Sequence, residues 1–259
     1  MQKHDIYAAQ EDPTWALADP RAGYKMRSDK LKIMPDRYQA NDCRKFQECL
    51  FVIDDFLSAE KLNKLQKNAS MLAEKAGGWA RSFDVTANNI TASRRQMNQN
   101  DLLPTECSQL ESAIDAVVPE VHQAISQLTH SEKIVKYNTW INTGSILADN
   151  QQEDFHFWHY DSDEYIESCL PGDWLRFPVW AAILYIRQPE NLRHFTIFDD
   201  HRINQKIRSL TNRLVVFDPG YMHKVIGTRI ADDSPDPRLV MVFNAWDYDA
   251  PDDAIDELP

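Results

Sequence analysis

IVKYNTWI (residues 134–141), DFHFWHYD (154–161), VWAAILYI (179–186), HFTIF (194–198), RLVVF (213–217), HKVIGT (223–228) and RLVMVFNAW (238–246) follow one another through the second half of the chain. Each run is short, rich in β-branched and aromatic residues, and separated from the next by Gly, Pro, Asn or Asp. Seven such runs in about 115 residues predict a sandwich or barrel of strands. Upstream the period is helical. Leu62, Leu65, Ala69, Leu72 and Ala76 recur at steps of three and four, with Ser58 placed to cap the helix and Gly77-Gly78 to end it. CLFVIDDFLS (49–58) reads as a buried strand leading into that helix. Leu110, Ile114, Val117, Val121, Ile125 and Leu128 mark further helix, which Pro119 should kink or restart. Helices first and strands afterwards, without alternation, argue against a doubly wound parallel sheet.

The chain has 259 residues, 43% hydrophobic and 26% charged, the profile of a globular protein with a full core. Its formal net charge of -12 argues against nucleic acid as the main partner, because phosphate binding requires clustered Lys and Arg. The opening MQKHDIYAAQEDP lacks the apolar region of a signal peptide, and no run reaches the length of a membrane span, so we expect a cytoplasmic protein with no membrane partner. Cys43, Cys49, Cys107 and Cys169 have no CxxC spacing and are read as reduced packing thiols.

Chemistry concentrates at one triplet, His159-Tyr160-Asp161. Alternate residues of a strand point the same way, so His159 and Asp161 could grip one ion. Taken alone the triplet is weak. His223 follows Asp161 by 62 residues, just past the turn DPGY, and Arg238 opens a strand run 15 residues later. Two neutral imidazoles and one carboxylate leave coordination positions open, which suits a catalytic non-haem Fe(II). A structural zinc would want four protein ligands, usually including Cys.

Four segments together carry a resemblance: FVIDDFLSAEKLNKL (51–65), FHFWHYDSDEY (155–165), WAAILYI (180–186), and RLVVFDPGYMHKVIGTR (213–229) with RLVMVFNAW (238–246). The chain resembles the prolyl-4-hydroxylase-like branch of the Fe(II)- and 2-oxoglutarate-dependent dioxygenases over about residues 50 to 248. The resemblance implies a mainly β fold with flanking helices: a double-stranded β-helix (jelly-roll, cupin-like) with an N-terminal helical layer. It divides the chain into an arm (1–45), one dioxygenase domain (46–248, helical support 46–132 and β core 133–248) and an acidic tail (249–259). It implies His159, Asp161 and His223 as iron ligands and Arg238 as the partner of the far carboxylate of 2-oxoglutarate, a task suited to a planar guanidinium. Tyr185 and Tyr137 stand where relatives place hydroxyls near the cosubstrate. O2 would be the oxidant and ascorbate a candidate reductant. The product class is a hydroxylated C–H bond with release of succinate and CO2, on a small molecule, amino acid or peptide, anionic substrates included.

Departures from the family pattern matter too. The Gly-Gly-X-Thr stretch common in the family is Leu192-Arg193-His194-Phe195-Thr196 here, with only the Thr kept. Arg229 competes with Arg238 for the carboxylate role; Arg238 is preferred because it opens an apolar strand that can fix its direction. His156 falls on the opposite face from His159, and His4, His122, His130, His194 and His201 read as surface or packing residues. Arg187, Arg193, Arg202, Lys206, Arg208 and Arg213 form a basic cluster in an acidic chain, read as a solvated face or as a device that attracts anions. Substrate contacts are expected from the N-terminal arm and from residues 79 to 103, an irregular polar stretch with Arg94 and Arg95. Two rival readings stand: a metal-binding or sensing β-helix protein without oxygenase activity, and an all-β interaction domain.

Overall fold

The computed structural model describes residues 44–47, 49–74, 79–87, 89–97, 102–129, 134–144, 153–154, 158–161, 177–189, 192–200, 203–229 and 238–247. Residues 1–43 of the expected arm, all of the expected acidic tail, His4, His130, His156, His201, Arg202, Cys43 and Cys169 lie outside these. In chain order the elements are β1 (Arg44–Gln47), β2 (Leu50–Ile53), α1 (Ala59–Glu74), β3 (Trp79–Thr86), β4 (Asn89–Met97), α2 (Pro104–Asp115), α3 (Val118–Thr129), β5 (Lys136–Gly144), β6 (Glu153–Asp154), β7 (Trp180–Arg187), β8 (Leu192–Asp200), β9 (Ile203–Arg208), β10 (Arg213–Phe217), β11 (His223–Arg229) and β12 (Arg238–Trp246). None of the described helices is long and apolar enough to cross a membrane.

The strands form two antiparallel sheets, one ordered β1-β2-β10-β7-β12-β5-β3-β4 and the other β6-β11-β8-β9. From β5 onward the chain passes back and forth between them, so that β5, β7, β10 and β12 lie in one sheet and β6, β8, β9 and β11 in the other. That winding is the jelly roll, or double-stranded β-helix. The fold is mainly β with flanking helices.

Side-chain parity assigns the faces. The Tyr185 hydroxyl on β7 meets Thr196 Oγ1 on β8 at 2.5 Å, which turns Tyr185 toward the opposite sheet. The Tyr137 hydroxyl on β5 meets His122 Nδ1 of α3 at 2.9 Å, which turns Tyr137 toward the helices. Registers pair Tyr185 with Val240 and Tyr137 with Ala245, so Val240, Val242 and Asn244 face the inter-sheet space and Met241, Phe243 and Ala245 face the helical layer. Both anchors give the same parity. With both faces covered, β7 is buried through seven consecutive residues and reads as an uninterrupted apolar run.

Local signals explain the helices. Leu62 N–H donates to Ser58 O and Lys61 N–H reaches Ser58 Oγ at 3.4 Å, as expected of a capping serine. The second helical stretch is two helices. Pro119, which has no N–H to give, lies in the first turn of α3, where none is needed.

Two expectations are corrected. Residues 79 to 97 are not irregular: β3 and β4 form a hairpin that extends the larger sheet through β5. Ser, Thr, Arg and Asn fill much of WARSFDVT and NITASRRQM, so neither segment offers an apolar run. The segment 154–161 is not one strand either. Beyond β6 its described residues form only an isolated bridge between His159 and His223.

Asn212 ties β10 to the start of α1. Its φ of 64° is left-handed, its side chain bonds Leu57 N and Leu57 O at 2.8 and 2.9 Å, and its backbone N–H donates to Tyr185 O. Asn212→Ala should lose about 3 kcal/mol, from two broken buried hydrogen bonds plus the left-handed backbone, whereas Asn212→Gly loses only the bonds. Urea melts that leave the two variants equally stable would remove the backbone part of this account.

Candidate metal centre

His159, Asp161 and His223 arrive from two directions. His223 is the first residue of β11, delivered by the turn Asp218-Pro219-Gly220-Tyr221, in which Asp218 Oδ1 accepts the Gly220 N–H. His159 lies opposite it, the two backbones exchanging N–H···O bonds of 3.0 Å in both directions. Directly opposed residues of an antiparallel pair put their side chains on one face, and here the two rings have centroids 4.3 Å apart. Asp161, two residues on, closes the group: its Oδ1 lies 3.8 Å from His159 Nε2 and 3.9 Å from His223 Nε2. All three donor atoms lie within 4.8 Å of one another.

These separations exceed a hydrogen bond, so the three groups converge without satisfying one another. Asp161 is 9% exposed, and its Oδ2 is buried without a hydrogen-bond partner among the described residues. Burial pushes its carboxyl up to about 6, with the neighbouring His159 pulling the other way. A buried, unsatisfied carboxylate is unfavourable until a cation meets it. His223 is held for that purpose. Its Nδ1 lies 3.0 Å from Tyr221 O, and a carbonyl only accepts, so Nδ1 carries the proton and the Nε2 lone pair is left for a metal. Phe198 and Phe217 flank the ring, with centroids 5.6 and 5.0 Å away. The donor set, two imidazole nitrogens and one carboxylate with no fourth protein ligand among the described residues, fits Fe(II).

Deeper between the sheets sits a second charged group. Arg238 is 4% exposed, its Nε lacks a hydrogen bond among the described residues, and its guanidinium carbon lies 6.0 Å from the Tyr185 ring centroid. Burial pulls it down to about 10, partly offset by Tyr185, so it stays cationic at neutral pH. Thr196 and His194 of β8 complete the surroundings. Phe198, against His223, and Thr196, bonded to Tyr185, are one same-face step apart, about 7 Å.

The structure thus brings together His159, Asp161 and His223, and links them through Phe198 and Thr196 of β8 to Tyr185 and Arg238. Tyr137 does not join them: the assignment to the cosubstrate site is corrected, because its register with Ala245 puts it on the helical face, bonded to His122. Burial there raises its hydroxyl well above the usual tyrosine range. His194 was missed by sequence reading. Burial, helped by the neighbouring Arg238, drives it down to about 3, so the ring is neutral. Nothing in LRHFT marks it, since only the closing of the two sheets brings it to Arg238. Arg229 ends β11 opposite Leu192, its side chain outside the description. The basic cluster divides: Arg213 is clamped by both Asp54 oxygens, at 2.5 and 2.9 Å, while Lys206 and Arg208 are exposed on β9. Arg94 and Arg95 pair with Ser82 and Arg81 on β3. Cys49 and Cys107 are buried.

No protein-family model matches this chain, and no curated protein is significantly similar to it. Among solved structures it is similar to a prolyl-4-hydroxylase from Pseudomonas putida (12% identity, TM-score 0.42, 86% of this chain and 100% of that one). It is also similar to a 2OG-Fe(II) oxygenase family oxidoreductase from Burkholderia pseudomallei (9%, 0.47, 88% and 93%). A third is a prolyl hydroxylase from Trichoplax adhaerens in complex with a hypoxia inducible factor oxygen degradation domain peptide (14%, 0.43, 92% and 95%).

Proposed function

We propose that this protein is an Fe(II)- and 2-oxoglutarate-dependent oxygenase that hydroxylates a C–H bond of an amino acid, peptide or other small molecule, with release of succinate and CO2. The observation that supports it most is one juxtaposition. A two-histidine, one-carboxylate group with no fourth protein ligand among the described residues lies between the same two sheets as a buried guanidinium, which sits by Tyr185 and its partner Thr196. When bound, iron and 2-oxoglutarate supply the oxidising chemistry, in which loss of CO2 from the diacid provides electrons for O2.

The chain's own residues prepare for this. His159, Asp161 and His223 hold the ion by one side. Arg238 pairs with the far carboxylate of the diacid, and its burial strengthens that pairing by keeping water away. Tyr185, fixed by Thr196, forms the wall beneath that carboxylate. His194 is neutral there and adds no charge. Phe198 and Phe217 exclude water from His223 and lock its ring.

A metal sensor on the same fold has no use for a buried cation beside its triad, so Arg238 favours the oxygenase. Anaerobic Fe(II) titration with and without 2-oxoglutarate tests the reading. We expect one iron per chain, a weak visible charge-transfer band only when both are present, and slow succinate formation on admitting air without substrate. Iron uptake with neither band nor succinate would leave the sensor as the better description.

A further inference from the structure

The triad and Arg238 leave unexplained the rung of the larger sheet that lies level with His223. Registers align Phe217, Ala181, Asn244, Asn138 and Ser82 across β10, β7, β12, β5 and β3. Parity puts all of them on the inter-sheet face. Phe217 touches His223, so the rung begins at the metal ligands and runs away from them. β3 follows β5 in the larger sheet, so the rung runs from β10 toward the β3–β4 hairpin, where Ser82 is 3% exposed.

Composition changes along this rung. An aromatic is followed by a single methyl at Ala181 and then by three polar side chains. On the same face of β12, Val240 and Val242 are apolar. Ser82 donates from Oγ to Asn138 Oδ1 at 3.1 Å, which fixes the Asn138 amide and leaves its N–H groups to point elsewhere. Asn244 is 6% exposed, and its Oδ1 is buried with no hydrogen bond among the described residues. An acceptor kept dry and unbonded destabilises a fold, so its presence at a position where valine would serve is a sign that something else bonds it.

We infer that this rung is the substrate-orienting site, that it takes an amide-bearing substrate, a peptide or an amino acid amide, and that the carbon to be oxidised lies over Ala181. The inference rests on the oxygenase reading for what happens at that carbon. A carboxamide offers an acceptor and a donor in one plane, which matches the N–H and C=O of another amide. Asn244 Oδ1 receives the substrate N–H and the Asn138 amide donates to its carbonyl, from strands about 5 Å apart. Ser82 is a positioning residue that acts through Asn138. Both asparagines are neutral, so the site selects hydrogen-bonding geometry and not charge.

The test uses the full chain and a panel of N-acetyl amino acid N-methylamides, each beside the O-acetyl 2-hydroxy acid methyl ester with the same side chain, in which both amide N–H groups are replaced by ester oxygen. Binding is read by saturation-transfer NMR with and without Fe(II) and 2-oxoglutarate. For the best amide we expect binding about tenfold tighter than its ester, the worth of one good hydrogen bond. Asn244→Leu should erase that preference and raise Tm, because a buried orphan acceptor is replaced by an apolar group of similar size. A merely structural asparagine would lower Tm on the same change. Ser82→Ala, a mild truncation, should reduce the preference without abolishing it. Equal binding of amides and esters by the wild-type chain, binding of neither, or a preference that survives Asn244→Leu overturns the inference. Iron and 2-oxoglutarate uptake with no amide preference sinks this site alone. An amide preference in a chain that takes up neither supports the site and sinks the oxygenase reading alone.

Discussion

Asp161→Ala should abolish stoichiometric Fe(II) binding, weakening it by more than about a hundredfold, the upper range for losing a mere supporting contact. Asp161 is the only anion of the described triad and its Oδ1 is nearly equidistant from both imidazoles, so nothing replaces its charge or its place. Without metal the same change should leave Tm unaltered or raised, because an unpartnered buried carboxylate disappears. A purely structural Asp161 predicts the reverse, a lower Tm. His159→Ala is the companion variant, since that side chain is 40% exposed and its removal spares the core. His223→Ala also removes packing against Phe198 and Phe217, so its loss of iron must be read beside its melt. Full iron uptake by folded Asp161→Ala or His159→Ala would take that residue out of the site.

Arg238→Met should raise the 2-oxoglutarate concentration needed for half-maximal succinate formation while iron affinity stays nearly constant. Loss of one partner from a desolvated charge pair costs roughly 2 to 5 kcal/mol, so a shift of at least about thirtyfold is expected. Met keeps much of the volume that Arg238 fills against Tyr185. If the shift appears instead in Arg229→Ala, with Arg238→Met unaffected, the carboxylate partner is Arg229. Measuring Kd for 2-oxoglutarate and iron separately keeps the two roles apart.

Much of the fold was legible where burial is two-sided or where punctuation is strong. β7, β10 and β12 are covered on both faces, so they appear as largely apolar runs that composition alone identifies. Ser58 and Pro119 marked helix starts because capping and the missing proline N–H act within one turn. β3, β4 and β9 escaped notice, since INQKIR buries only Ile203 and Ile207 of its six residues and the hairpin is largely polar. Strands with one wet face hold their place by pairing with neighbours, and pairing is not written locally.

The sequence by itself determined which residues could chelate a metal: a His-X-Asp triplet, a distant histidine after a turn and a strand-opening arginine are properties of residue type and order. Only the tertiary structure decided how they meet. The His159–His223 bridge joins backbones 64 residues apart in sequence. Parity at β5 sent Tyr137 to the helices, and parity at β7 sent Tyr185 to the interior, although both are buried aromatics on neighbouring stretches of sheet. The closing of the two sheets buried His194 beside Arg238, and strand register within the larger sheet aligned Ser82, Asn138 and Asn244 into one rung. The reason is physical: residue chemistry is local and can be read along the chain, whereas the face a strand residue shows depends on register, and register is fixed by the sum of cross-strand contacts.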